Sequence, residues 1–160
     1  MALLDPSDYI SSLQQERHRA IILHIDAQRS PALTEFCRRL CERTGGKYVD
    51  LLDLFVQEPD LNGRIDRFGP EDLRDLIVQM SRDCSLVVVD RADFLLDTWS
   101  RPQRQNLFKL IADQWDGYKQ STRARLIFAL QSSLEVEALR IMDSRGRSRV
   151  LRLTDFREIA

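Results

Sequence analysis

The stretch Ser85-Leu86-Val87-Val88-Val89-Asp90, running on into Arg91-Ala92-Asp93-Phe94-Leu95-Leu96, decides how the rest of the chain is read. Four apolar residues in a row, three of them β-branched, predict a strand buried on both faces, as inside a parallel sheet. The strand ends on an acid. In open α/β sheets ligands sit at the carboxyl ends of the strands, and a carboxylate there is suited to hold a magnesium ion beside a nucleotide phosphate.

Working outward, the same buried pattern recurs at Ala20-Ile21-Ile22-Leu23-His24-Ile25 and at Arg125-Leu126-Ile127-Phe128-Ala129-Leu130. Lys47 to Leu52 and Val150-Leu151-Arg152-Leu153 read as two further strands. Helical signals fill the gaps between them. Asp5-Pro6 offers an N-cap and a first-turn proline for a helix to about Arg17, with Tyr9, Ile10 and Leu13 inward. Ser30-Pro31 repeats that signature ahead of Leu33, Cys37, Leu40 and Cys41, and Gly45-Gly46 closes the helix. A polar connection holds Pro59, Asn62 and Gly63. A helix entered through Asp66–Pro70 follows, with Leu73, Leu76, Ile77 and Met80 inward. After Trp99-Ser100-Arg101-Pro102 a long helix carries Leu107, Leu110, Ile111 and Trp115, and Gly117 and Ser121 mark its end. A helix from about Leu134 to Met142 leads into Asp143-Ser144-Arg145-Gly146.

No repeat or low-complexity linker interrupts this order, so residues 1–160 are expected to form one domain. Residues 1–19 supply an N-terminal helix and residues 20–156 the core. Strands alternating with helices predict an α/β fold, a three-layer α/β/α sandwich on a parallel sheet of about five strands.

Hydrophobic residues at 43%, charged residues at 31% and a formal net charge of -1 describe an ordinary globular chain. That charge argues against non-specific nucleic-acid binding by bulk attraction and leaves a local basic patch possible. Cys37, Cys41 and Cys84 form no Cys-x-x-Cys pair with a nearby His, and read as small core residues in a reducing compartment. No apolar run reaches the roughly 20 residues of a membrane span. A cytoplasmic protein without membrane association is expected.

The succession Ile21–Ile25, Val87–Asp90, Leu126–Ser133 and Ser144-Arg145 resembles the P-loop NTPase core of the AAA+ class, without its lid domain. In that class a first strand leads into a phosphate loop and helix, and a later strand ends in the Walker B Asp. A further strand ends in a polar sensor residue, and an arginine finger precedes the last strand. The resemblance covers about residues 20 to 156. It implies a nucleotide site built from Arg29, Ser30, Asp90 and the sensor-like Gln131, and an Arg145 that reaches a neighbouring subunit. Small size and the Phe94-Leu95-Leu96 segment, with Leu107–Ile111 after it, are similar to the small P-loop component (BrxF-like) of bacterial BREX phage-defence systems.

Two departures remove most of the expected chemistry. A working phosphate loop reads G-x-x-x-x-G-K-[ST], because glycines let backbone amides close around phosphate and Lys neutralises it. Here the corresponding residues are His24-Ile25-Asp26-Ala27-Gln28-Arg29-Ser30-Pro31, with neither glycine nor lysine. Asp26 brings a negative charge, Pro31 has no amide to offer, and the bland reading is a strand-to-helix turn capped by Ser30. The acid that follows Asp90 in hydrolysing members is replaced by Arg91, which accepts no proton at neutral pH. Asp93 stands two residues further on. Asp90 is then either a metal ligand or a partner of the following turn, of Arg91 or of Arg29.

The segment after 139 is basic. Arg140, Arg145, Arg147 and Arg149 are candidates for contact with a protein partner or nucleic-acid phosphate, against the plain reading of a solvated loop. Trp99 is read as an exposed interface aromatic and Trp115 as core. His24 reads as a strand-end residue without a ligand partner. Ser132-Ser133 lacks the G-x-S-x-G elbow of a serine hydrolase.

The sequence therefore points to a non-catalytic, AAA+-like subunit that binds protein in a nucleic-acid-associated or phage-defence assembly. Its expected partner is an active AAA+ ATPase or a copy of itself. No catalytic residue, metal or ATP cofactor is assigned. The rival readings are an atypical, weak ATPase and a nucleic-acid-binding module using the basic C-terminal segment.

Overall fold

A computed structural model of the chain describes residues 2–115 and 124–159. Five strands form one parallel sheet: β1 (Ala20–Ile25), β2 (Lys47–Asp50), β3 (Leu86–Asp90), β4 (Arg125–Gln131) and β5 (Val150–Arg152). Their spatial order is β2-β3-β4-β1-β5. β1, β3 and β4 lie side by side in the middle and are buried almost throughout. This is why they read as mainly apolar runs, whereas the edge strands β2 and β5 keep mixed patterns.

Alternate side chains of the sheet enter two separate cores. Ile21, Leu23, Ile25, Val88, Ile127 and Ala129 meet helix α1 (Pro6–Ser12) and helix α2 (Ser30–Thr44) on one face. Ile22, Val87, Val89, Leu126 and Phe128 point the other way. They meet α3 (Leu51–Gln57), α5 (Pro70–Met80), α6 (Asp93–Thr98) and α7 (Arg101–Lys109). The short α4 (Pro59–Asn62) and α8 (Leu134–Ala138) complete the helices. No helix among the described residues is long and apolar enough to cross a membrane.

Several element boundaries differ from the sequence reading, each for a local reason. The first helix stops at Ser12 and passes through a 3-10 turn at Leu13–Gln15, short of Arg17. The second strand ends at Asp50 because that carboxylate accepts the backbone N–H of Asp53 and starts α3 there. The end of the expected strand at Leu51 and Leu52 and the polar connection after it are thus mostly helical, and Leu51 and Phe55 are buried. Ser30 is not the N-cap of α2. It is the first helical residue, after a 3-10 turn at Ala27–Arg29, and its hydroxyl donates backward to the carbonyl of Ala27. The helix after β4 ends at Ala138, and Met142 instead bridges Ser148. α7 passes into a π-helical turn at Leu110–Gln114. The helix end expected at Gly117 and Ser121 lies outside the described residues.

Candidate functional site at the carboxyl ends of the strands

From β1 the chain crosses past β4 and β3 to reach β2, while from β4 it crosses β1 to reach β5. The connections leave these adjacent strands in opposite directions, which opens a crevice beyond their carboxyl ends, the usual ligand position in such sheets. A cleft of about 570 Å³ lies there. It is lined by Ser30, Asp90 and Gln131 together with Thr34, Glu35, Arg38, Asp50, Arg91, Asp93 and Asp97. Three of the four expected nucleotide-site residues therefore meet. Arg29 does not join them, because the 3-10 turn directs it to a separate groove formed with the C-terminal segment.

Asp90 is buried. Its Oδ2 accepts the hydroxyls of Thr34 and Tyr48, both at 2.6 Å, and its Oδ1 accepts the backbone N–H of Arg91 at 2.9 Å. Neither expected arginine side chain pairs with it. Burial and the bond to Asp90 push the Tyr48 phenol well above its ordinary range, so it stays a donor. Arg91 adopts φ 61°, a left-handed conformation that costs a non-glycine residue about 1–2 kcal/mol. Its backbone bond to Asp90 and its guanidinium bond to Asp50 Oδ2 at 2.9 Å hold it there. Asp50 and Asp90 are direct neighbours in the β2–β3 register, so this bridge also relieves two adjacent carboxylates.

Asp93 returns toward the strands as the first residue of α6 and accepts the backbone N–H of Gln131 at 2.9 Å. It clips the end of β4 to the turn after β3. Burial, partly offset by that bond, raises its carboxyl above the ordinary range, and Asp97 and Asp90 add to the rise. Five acidic residues, Glu35, Asp50, Asp90, Asp93 and Asp97, line the cleft together with Arg38 and Arg91. Among the described residues no group of three or more His, Cys, Asp or Glu side chains is placed to hold a metal ion.

Beyond the cleft, the basic segment divides sharply. Arg149 was expected on the surface and is instead buried. Its guanidinium donates to the carbonyls of Ala20, Ile111, Ala112 and Met142. Two of these carbonyls, those of Ile111 and Ala112, belong to the π-helical turn. Trp99 is likewise corrected: only 5% exposed, it gives its indole N–H to the carbonyl of Phe68 at 2.7 Å. Arg147 is half-buried, paired with Asp143 and stacked over Tyr9. Arg140 lies exposed and, among the described residues, hydrogen-bonds the carbonyls of Glu137 and Leu139.

Arg145 stands outward on a hydrogen-bonded turn. Asp143 accepts the N–H groups of Arg145 and Arg147, and Gly146 supplies the left-handed φ of 78° that closes the turn. Glu16, buried at 5% exposure, accepts both the N–H and the hydroxyl of Ser144, at 2.7 and 2.6 Å. The guanidinium of Arg145 makes no bond among the described residues. His24, near the end of β1, has its Nδ1 2.7 Å from the Ser132 hydroxyl. Burial, then Arg152, lowers its pKa and keeps it neutral.

Thr34, Tyr48, Asp50 and Glu16 were not legible as site residues. Each acts across a long sequence separation, and only Asp93 carried a signal, its spacing from Asp90. No protein-family model matches the chain, and no curated protein matches it by sequence.

Proposed function

We propose that this chain is a non-catalytic subunit with a degenerate P-loop, AAA+-like core that works by binding protein, in a nucleic-acid-associated or phage-defence assembly. Support for the core comes from chain order. A strand and turn at 20–31, a strand ending at Asp90, a strand ending at Gln131 and Arg145 before the last strand keep the AAA+ succession. The three strands concerned lie side by side. The observation that carries the non-catalytic reading is the state of Asp90. Thr34 and Tyr48 engage its Oδ2 and the Arg91 amide its Oδ1, so the fold takes up three of its acceptor positions that a magnesium-holding acid would keep for the ion.

The surrounding residues do not fit a nucleoside triphosphate with magnesium. The turn at 26–31 has neither the glycines nor the lysine of a phosphate cradle, Arg29 points elsewhere, and the lining acids repel phosphate. Partner binding is favoured by Arg145, whose turn is held by two engaged carboxylates while its own side chain is left outward. A planar guanidinium presented this way matches a carboxylate or phosphate of a neighbour.

Two measurements test the reading. Addition of millimolar magnesium-ATP is expected to leave the melting temperature unchanged. A ligand-linked rise would return the chain to the ATP-binding class. Affinity purification from the native host is expected to retain a protein partner that is lost with Arg145→Ala. Retention of nucleic acid instead of protein would overturn it.

A further inference from the structure

We propose that the groove between the N-terminal residues, the first turns of α2 and the C-terminal segment is a docking surface for a short acidic peptide of a partner protein. This rests on the reading that the chain works by binding protein, and it names a surface other than Arg145. The groove measures about 590 Å³. Phe36, Leu153 and Phe156 line it, and Leu3 stands 49% exposed at its side. Arg29 and Arg157 also line it, and neither guanidinium makes a hydrogen bond or ion pair among the described residues. Arg39, by contrast, is paired with Glu35 and bonded to the carbonyl of Ile159.

The chemistry of the occupant follows from that arrangement. An apolar bed flanked by two unengaged guanidiniums is complementary to an apolar side chain flanked by carboxylates, since Arg binds carboxylate through a bidentate fork. Glu158 lies on the same rim and leaves a net positive charge against the two arginines. Nucleic acid fits less well. Phe36 and Phe156 pack against each other, with ring centroids 5.6 Å apart, and are only 8% and 7% exposed, so they form the floor while Leu3 and Leu153 supply the more open apolar surface, and no ring face is open for base stacking. Two cations are also few for tracking a phosphate backbone. The groove is held open by the chain itself. The backbone of Leu4 accepts from Arg157 and donates to Asp155, so the two terminal segments form one wall.

The test uses the full chain and a fluorescein-labelled hexapeptide with Leu-Phe between two aspartates. Saturable binding is expected by anisotropy at low salt, weakened about tenfold by Arg29→Glu or Arg157→Glu, a loss of about 1.4 kcal/mol each. A peptide with lysines in place of the aspartates is expected not to bind. Ala32→Trp, which fills the groove from its α2 wall, is expected to abolish binding with no change in circular dichroism. Absence of saturable binding at millimolar peptide, or equal binding by the charge-reversed variants, would overturn the proposal. Should a native partner still co-purify with the Arg29→Glu, Arg157→Glu double variant, the groove falls and the protein-binding reading stands. Should the wild type retain no protein, that reading falls.

Discussion

The hydroxyl of Thr34 lies 2.6 Å from Oδ2 of Asp90, so the second turn of α2 is tied to the end of β3, 56 residues away in sequence. The same oxygen takes the phenol of Tyr48 from the edge strand β2. One buried carboxylate therefore joins a helix and two strands at the carboxyl rim of the sheet. This geometry makes Asp90 a structural post.

Replacing it should show in stability. Asp90→Ala leaves two hydroxyls and an amide without their acceptor and is expected to lower unfolding free energy by about 2–4 kcal/mol. Thr34→Val removes one of the three bonds and should cost about 1–2 kcal/mol. Urea denaturation followed by circular dichroism reads both. Wild-type stability in Asp90→Ala would mean that the carboxylate is held for another purpose.

Arg149→Met tests the buried guanidinium. The methionine keeps much of the apolar stem but abandons four carbonyls, for an expected loss of about 3 kcal/mol. Backbone amide exchange should rise first around Leu110–Gln114, where two of those carbonyls lie. An exchange pattern identical to the wild type would show that the π-helical turn does not depend on Arg149.

Asp93 has a carboxyl raised chiefly by burial, so ionising it opposes folding. A raised folded-state pKa means that the fold binds this proton more tightly than the unfolded chain does. The penalty is therefore absent at low pH and appears as pH climbs through the folded value. Asp93→Asn keeps an oxygen for the Gln131 amide and carries no charge. Its melting temperature should exceed the wild type's at pH 7, and the difference should vanish below the ordinary carboxylate range. A gain that persists at low pH would assign the effect to something other than charge.

Glu16 runs in the opposite direction. Its bonds from Ser144 lower its pKa, so its contribution is present above the ordinary carboxylate range and is lost as pH falls through the folded value. Glu16→Ala is expected to cost about 2–3 kcal/mol at pH 7 and to increase amide exchange at 143–147. Unchanged exchange there would remove Glu16 from the support of Arg145.

Thiol reactivity separates the cysteines. Burial raises Cys41 to about 11 and holds Cys37 well above the ordinary thiol range, while Cys84 is partly exposed and has its thiol against the carbonyl of Met80. At pH 8 a disulfide reagent should modify Cys84 alone in the folded protein and all three after denaturation. Rapid labelling of Cys37 would contradict the packing of α2 on the sheet.

The strands and their parallel arrangement were legible because burial on both faces leaves an unambiguous mark. Leu86–Val89, Ile21–Leu23 and Leu126–Leu130 admit no polar position, and the helices between them require crossovers. Where a single side chain set the boundary, the pattern misled. The strand read over Lys47–Leu52 stops at Asp50, because its carboxylate caps α3. Trp99 and Arg149 carry the surface reading of their residue types, yet both are buried, because carbonyls at Phe68 and at the π-helical turn are placed to satisfy their N–H groups.

Asp90 marks the division most clearly. From sequence alone the chain determined that an acid ends a central strand and that the turn from Asp26 to Pro31 lacks the glycines and lysine of a phosphate loop. Those are statements about local composition, and local composition is what a sequence displays. Whether the Asp90 oxygens face a cleft or their own fold depended on Thr34 and Tyr48, which reach it from other elements. Hydrogen bonds across 42 and 56 residues follow from the order in which strands are laid side by side, and only the tertiary structure decides that order.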